Sequence, residues 1–248
     1  DGACQNVAKF STPEGLALDA ESQILYVADF GIYNIRAIDL GSCTVSKLAG
    51  NGSNSWTDGA TTNSATGTNR AEYLTLVKIP AGCTTSCTTK RLYFTGLYSV
   101  NSSPMTVLRY VDLNVTPNQV VTQVQTTGGY LNTGDPASSP SEAYNAKMCF
   151  PKQTAWDGKY LIIPEYCNHG VRRMDPITGT IQPITSYNSA TLGNSLNAGN
   201  GANWTNFLQD FQTGTFANGF HIAQPIGALY NSTMGYYVFG AYGLWRFN

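Results

Sequence analysis

One phrase recurs along this chain and limits the fold more than any single residue does. A short apolar run, "ILYVAD" at 24–29, leads through a turn into "NIRAIDL" at 34–40. The pairing returns as "RLYFTG" and "VLRYVDL", as "KYLIIPE" and "GVRRMDP", and as "GYYVFGA" and "GLWRFN". A proline opens each unit, in "PEGLALD" (Pro13), "PAGCTTS" (Pro80), "PKQTAWD" (Pro151) and "PIGALYN" (Pro225). In three units a further run follows: "TVSKLAG", "VVTQVQTTGG" and "TIQPITS". The runs are short, rich in Val, Ile, Tyr, Leu and Phe, and bounded by Gly, Asn, Asp or Pro, which describes strands and hairpins. No capped amphipathic helix stands out. A four-stranded unit repeated four times at intervals of roughly 70 residues predicts an all-β fold, a β-propeller whose blades bury their faces against one another.

The fourth unit stops after its second run. Near the N-terminus, "ACQNVAKFS" (3–11) aligns with "SCTVSKLAG" (42–50), the outer strand of the first unit. Residues 1–10 are therefore expected to complete the last blade, because closure removes exposed strand edges. A single four-bladed domain over 1–248 follows, with blades opening near 13, 80, 151 and 225. A fragment of a six-bladed ring is the alternative. Long segments at 50–78, 127–150 and 186–223 precede three of the blades. The last holds Phe207, Phe211, Phe216 and Phe220, either as an exposed binding loop or tucked inward.

Charge narrows the partners. Of 248 residues only 12% are charged, with 14 basic against 15 acidic and a net charge of −1. That balance offers no basic face for nucleic acid or for an anionic membrane surface. No run of 18 apolar residues is present to span a bilayer. A start at "DGACQN" resembles a processed mature chain.

Residues 13–59, "PEGLALDAESQILYVADFGIYNIRAIDLGSCTVSKLAGNGSNSWTDG", resemble the NHL repeat. That family's pattern runs Pro-x-Gly-hydrophobic-Ala-x-Asp, then Leu-Tyr-Val-Ala-Asp, then Ile-Arg, and ends in a Leu-Ala-Gly strand and an Asp-Gly loop. "GDPASSPSEAYNAKMCFPKQTAWD" at 134–157 is similar to the loop and opening of a later repeat, while the second and fourth units are degenerate. The resemblance implies a propeller and selects no one activity.

Six cysteines and five sequons suit an oxidising, secretory compartment. The sequons lie at Asn51, Asn101, Asn114, Asn203 and Asn231, with Pro117 weakening Asn114. Cys83 and Cys87 are expected to pair locally, Cys149 with Cys167, and Cys4 with Cys43, although the sequence leaves connectivity open.

Candidate chemistry is sparse. Glu165, Cys167 and His169 in "EYCNHG" fit no zinc spacing, and His221 has no companion. Both histidines read as structural. Among propellers related by the resemblance, the amidating lyase needs three zinc-binding His where this chain has two. A gluconolactonase-like site would use Glu14, but Ala81, Lys152 and Ile226 occupy the corresponding places in the other units. Asp39, Asp112, Asp175 and Asn248 recur at the end of the second run, where they would suit calcium or, better, the turns that follow. Arg36 and Arg109 belong to the repeat and are expected to pack between blades. The reading is a secreted, glycosylated, disulfide-bonded binding or assembly module without catalysis or obligatory cofactor. Its partner would be a protein, a glycan or copies of itself, the last making it the block of an extracellular fibre or coat; the alternative is a divalent-metal-dependent propeller hydrolase or lyase.

Overall fold

The computed structural model describes residues 1–4, 7–80, 89–100, 103–127, 148–166, 170–184, 225–240 and 243–247. The described residues form antiparallel sheets of the β-propeller class. The chain divides into two compact units, Asp1–Val124 and Gln125–Asn248, described separately here.

In the first unit, β1 (Gly2–Ala3), β2 (Pro13–Asp19), β3 (Ile24–Asp29), β4 (Asn34–Asp39) and β5 (Thr44–Ala49) make a sheet of order β1-β5-β4-β3-β2. Strict alternation in "PEGLALD" drives it: Ala17 and Asp19 point one way into the protein, Leu16 and Leu18 the other way into solvent. A 3-10 turn, Phe30–Ile32, joins β3 to β4, and Tyr33 ends it in the left-handed region at φ 55°.

The second sheet repeats this plan. It holds β6 (Gly59–Ala60), β7 (Arg70–Ile79), β8 (Thr89–Val100), β9 (Ser103–Asp112) and β10 (Gln119–Thr127), in the order β6-β10-β9-β8-β7. The two sheets pack face to face through Ala17, Tyr26, Ala28 and Ile35 on one side and Leu74, Leu92, Phe94 and Val111 on the other. Of these, Ile35, Leu74, Leu92, Phe94 and Val111 each contribute about 1.5–3 kcal/mol. Gly15 sets how closely the sheets approach. A Cβ there would lie 2.7 Å from Tyr73 Cα and 2.9 Å from Leu74 N.

Two expectations are corrected here. The inner strand of the second sheet is β7, which precedes Pro80 instead of following it. "AEYLTLVKI" is itself a strand run, and it lay inside a segment read as a connection. Among the described residues, the N-terminal strand expected to complete the last sheet lies on the first instead: Gly2 pairs with Val45 and Ala3 with Thr44, at its outer edge. Gly59 and Ala60 do the same to β10, opposite Val120 and Gln119. In both sheets, then, an Asp-Gly-Ala segment crosses the outer edge before the chain enters the inner strand, giving five strands where four were expected.

In the second unit, β11 (Ala155–Trp156), β12 (Leu161–Glu165), β13 (Gly170–Met174) and β14 (Ile181–Pro183) form a sheet in sequence order. β15 (Pro225–Asn231), β16 (Gly235–Gly240) and β17 (Gly243–Phe247) form another. Ala155, Ile162 and Val171 of the former pack on Ala228 and Val238 of the latter. Ala228 N donates to Gln153 O at 2.8 Å, and the Tyr236 hydroxyl donates to Asp157 Oδ2.

Candidate functional site

Arginines that the repeat places mid-strand are buried, and a buried guanidinium requires an anion. Each sheet with a described partner supplies one in a related way. Arg109, opposite Phe94 on β8, is fully buried. It donates to Asp58 Oδ1 at 2.7 Å, to Gly67 O at 2.7 Å and to Thr122 Oγ1 at 3.1 Å, with its guanidinium 5.5 Å from the Phe94 ring. Arg36, opposite Val27, donates to Asp1 Oδ1 at 2.8 Å and Lys9 O at 3.3 Å, and lies 5.3 Å from the Phe10 ring. The two arrangements share one pattern: an Asp-Gly-Ala carboxylate, a carbonyl a few residues on, and an aromatic face. Burial alone pushes Arg109 below the usual guanidinium range, against the Asp58 carboxylate.

A second acid closes the clamp from inside the sheet. Asp29 ends β3, is fully buried and lies 3.7 Å from Arg36. Its other oxygen accepts from Ser11 N and Thr12 N at 2.9 and 3.1 Å. Glu165 holds the matching position in β12. It pairs with Arg172 at 2.9 Å and accepts Cys149 N at 3.2 Å. The second sheet has Gly96 at that position, and there Asp58 is the acid that pairs with the arginine. Glu165 is thus engaged by Arg172.

Between the first two sheets, Lys78 and Lys90 converge on Asp19. Lys78 Nζ lies 3.0 Å from Asp19 Oδ1 and also pairs with Glu21, and Lys90 pairs with Asp19 Oδ2. Burial pushes the Asp19 carboxyl up, but the hydrogen bonds from Lys90 and Lys78 outweigh it and hold it well below the usual carboxylate range.

The recurrent acids at strand ends serve the turns. Asp39 accepts Ser42 N at 2.8 Å, Asp112 accepts Asn114 N at 2.9 Å, and Asp175 accepts Ile177 N at 2.8 Å. Among the described residues no cluster of three or more His, Cys, Asp or Glu is placed to hold a metal ion. Of the gluconolactonase-like positions, Glu14 is exposed at the start of β2, Lys152 lies 5.8 Å from the Tyr166 ring, and Ile226 is exposed.

One face of the last sheet exposes apolar side chains. On the last sheet, Ala228, Tyr230, Tyr236 and Val238 occupy the packed face. The register puts Leu229 beside Tyr237 and Arg246 on the opposite face, and Gly227 beside Phe239 and Leu244. Leu229 is 56% exposed, Phe239 36% and Leu244 59%. These three side chains cross all three strands.

The cysteines divide. Cys4 and Cys43 are unbridged in this structure and stand opposite each other: Cys4 N donates to Cys43 O at 2.8 Å. A hydrogen bond with Cys43 raises the Cys4 thiol above its ordinary value. Cys149 is disulfide-bonded. Asn51, Asn114 and Asn231 are described. Asn101, Asn203, Cys83, Cys87, Cys167, Ala81, His169, His221, Asn248 and the expected binding loop with Phe207, Phe211, Phe216 and Phe220 lie outside the described residues.

No protein-family model matches the chain, and no curated protein matches it in sequence. Among solved structures it is similar to the PQQ-bound aldose sugar dehydrogenase of Streptomyces coelicolor, at 15% identity and TM-score 0.41, over 96% of this chain and 77% of that one. It is similar to a streptogramin B lyase at 10% identity and TM-score 0.36, over 97% and 70%. A nidogen/laminin complex follows at 12% identity and TM-score 0.33, over 73% and 65%. Among the described residues, no helix is long and apolar enough to cross a membrane.

Proposed function

We propose that this chain is a secreted, N-glycosylated, NHL-like propeller module that works by contact between proteins, foremost copies of itself, and performs no catalysis. The observation that carries the reading is the exposed Leu229, Phe239 and Leu244 row across the last sheet. Contiguous apolar surface of that kind marks interaction sites. A net charge of −1 leaves little repulsion between copies. The ion pairs support the same reading, because the acids Asp29, Asp58 and Glu165 are engaged by the buried Arg36, Arg109 and Arg172.

The test is a paired substitution, Leu229→Glu with Leu244→Glu, followed by light scattering across a concentration series. Both side chains are exposed, so the variant keeps its fold, checked by circular dichroism. The native chain gains mass with concentration and the variant stays at one chain's mass. Equal association of the two would remove this face from the account.

A further inference from the structure

We infer that Asn231 is an N-glycan acceptor at the rim of the apolar face and that Asn51, an equally good sequon by sequence, is not. The inference rests on the secreted reading above and deepens it by choosing between sites. Asn231-Ser232-Thr233 is the turn of the β15–β16 hairpin, and residues 231–234 are all exposed. Asn231 Oδ1 accepts the backbone N–H of Thr233 at 2.9 Å and of Met234 at 3.0 Å. Its amide nitrogen donates to nothing among the described residues. The oxygen is therefore pinned toward the chain, and the nitrogen, the atom that takes the sugar, is left in solvent.

Asn51 has the same turn and the opposite nitrogen. Its Oδ1 accepts Ser53 N at 3.0 Å, but Nδ2 donates to Ser55 Oγ at 2.8 Å and to Ala65 O at 3.4 Å. Glycosyl transfer bonds the amide nitrogen to the anomeric carbon of a lipid-pyrophosphate-linked oligosaccharide. The carbon–oxygen bond to the pyrophosphate breaks, one amide proton leaves, and a single N–H remains. At Asn51 that change forfeits one of the two hydrogen bonds and drives a sugar into the loop that Ser55 and Ala65 close. At Asn231 it forfeits none. Asn114 is exposed, but its Oδ1 is held by Lys90 N and Pro117 follows its sequon directly.

Position gives the site a consequence. Alternation along β15 sets Asn231 on the same face as Leu229. A glycan there stands at one end of the Leu229, Phe239 and Leu244 row, so a partner must approach from the other end.

The experiment is glycopeptide mass mapping of the native protein before and after enzymatic release of N-glycans. The expected result is a glycan on the Asn231 peptide and none on the Asn51 peptide, with Asn231→Gln losing one glycan's mass while remaining folded. A bare Asn231 beside another occupied sequon overturns the choice of site and leaves the secreted reading standing. Occupancy of Asn51 equal to that of Asn231 overturns the discrimination. No glycan on any sequon overturns both the site and the reading it rests on.

Discussion

Replacing Asp58 by alanine will cost more stability than replacing its partner, Arg109, by methionine. The asymmetry comes from where the two charges sit. The Arg109 side chain is fully buried, whereas that of Asp58 is 44% exposed. Asp58→Ala leaves a guanidinium inside the sheet with only Gly67 O and Thr122 Oγ1 as partners. An uncompensated buried charge of this kind costs about 3–5 kcal/mol. The same change also removes the acceptor for Thr122 N and Thr122 Oγ1. Arg109→Met instead lets the Asp58 carboxylate turn to water while keeping its bonds to Thr122, and the methionine fills the stem's place over Phe94. Its cost is one charged hydrogen-bond set, about 1.5–3 kcal/mol. The double variant should lie nearer Arg109→Met than Asp58→Ala. Urea denaturation read by tryptophan fluorescence measures all three, with Trp56 two residues from Asp58. An Asp58→Ala midpoint within about 1 kcal/mol of the native chain, or Arg109→Met as the more damaging change, would refute the claim that the acid exists to neutralise a buried arginine.

Three further outcomes follow from the same structure. Asp19 has a carboxyl held below its ordinary value, so its contribution is present above the unfolded value near 3.9 and is lost as pH falls toward the folded one. Asp19→Asn should therefore be destabilised at pH 7, and its gap to the native chain in thermal melts should begin to narrow only as pH falls below about 4. Gly15→Ala places a methyl against the backbone of Tyr73 and Leu74 and should cost about 1–3 kcal/mol as overpacking, read as a lowered melting temperature. Oxidation with glutathione disulfide should join Cys4 to Cys43. Closing a loop of about 40 residues is worth up to about 4 kcal/mol, seen as a higher urea midpoint of the oxidised native chain than of oxidised Cys4→Ser.

Alternation in "LALD" made the first inner strand legible, because it states directly which side chains a sheet buries, and "LYVA" was legible as a continuous apolar run buried on both faces. The turn role of Asp39, Asp112 and Asp175 was legible for a similar reason: a short acid at a strand end meets backbone N–H groups two or three residues on. The boundaries of the second sheet were not. Pro80 matches Pro13 in the written repeat, and that match displaced the true inner strand, whose run "AEYLTLVKI" is buried without a period-two pattern. The clamps were half visible. An arginine flanked by Ile, Leu or Val in a strand announces a buried charge, and "DGA" stands at both 1–3 and 58–60. Nothing local connects the two, because Asp58 and Arg109 are 51 residues apart. The apolar face stayed hidden since exposed and packed positions of "PIGALYN" read alike until the bulge between Pro225 and Gly227 fixes the register.

Light scattering of the native, unreduced protein, with electron microscopy of the same sample, tests the central claim most directly. The account predicts mass that grows with concentration and ordered contacts made through the last sheet. A particle that keeps one chain's mass at every concentration would contradict it.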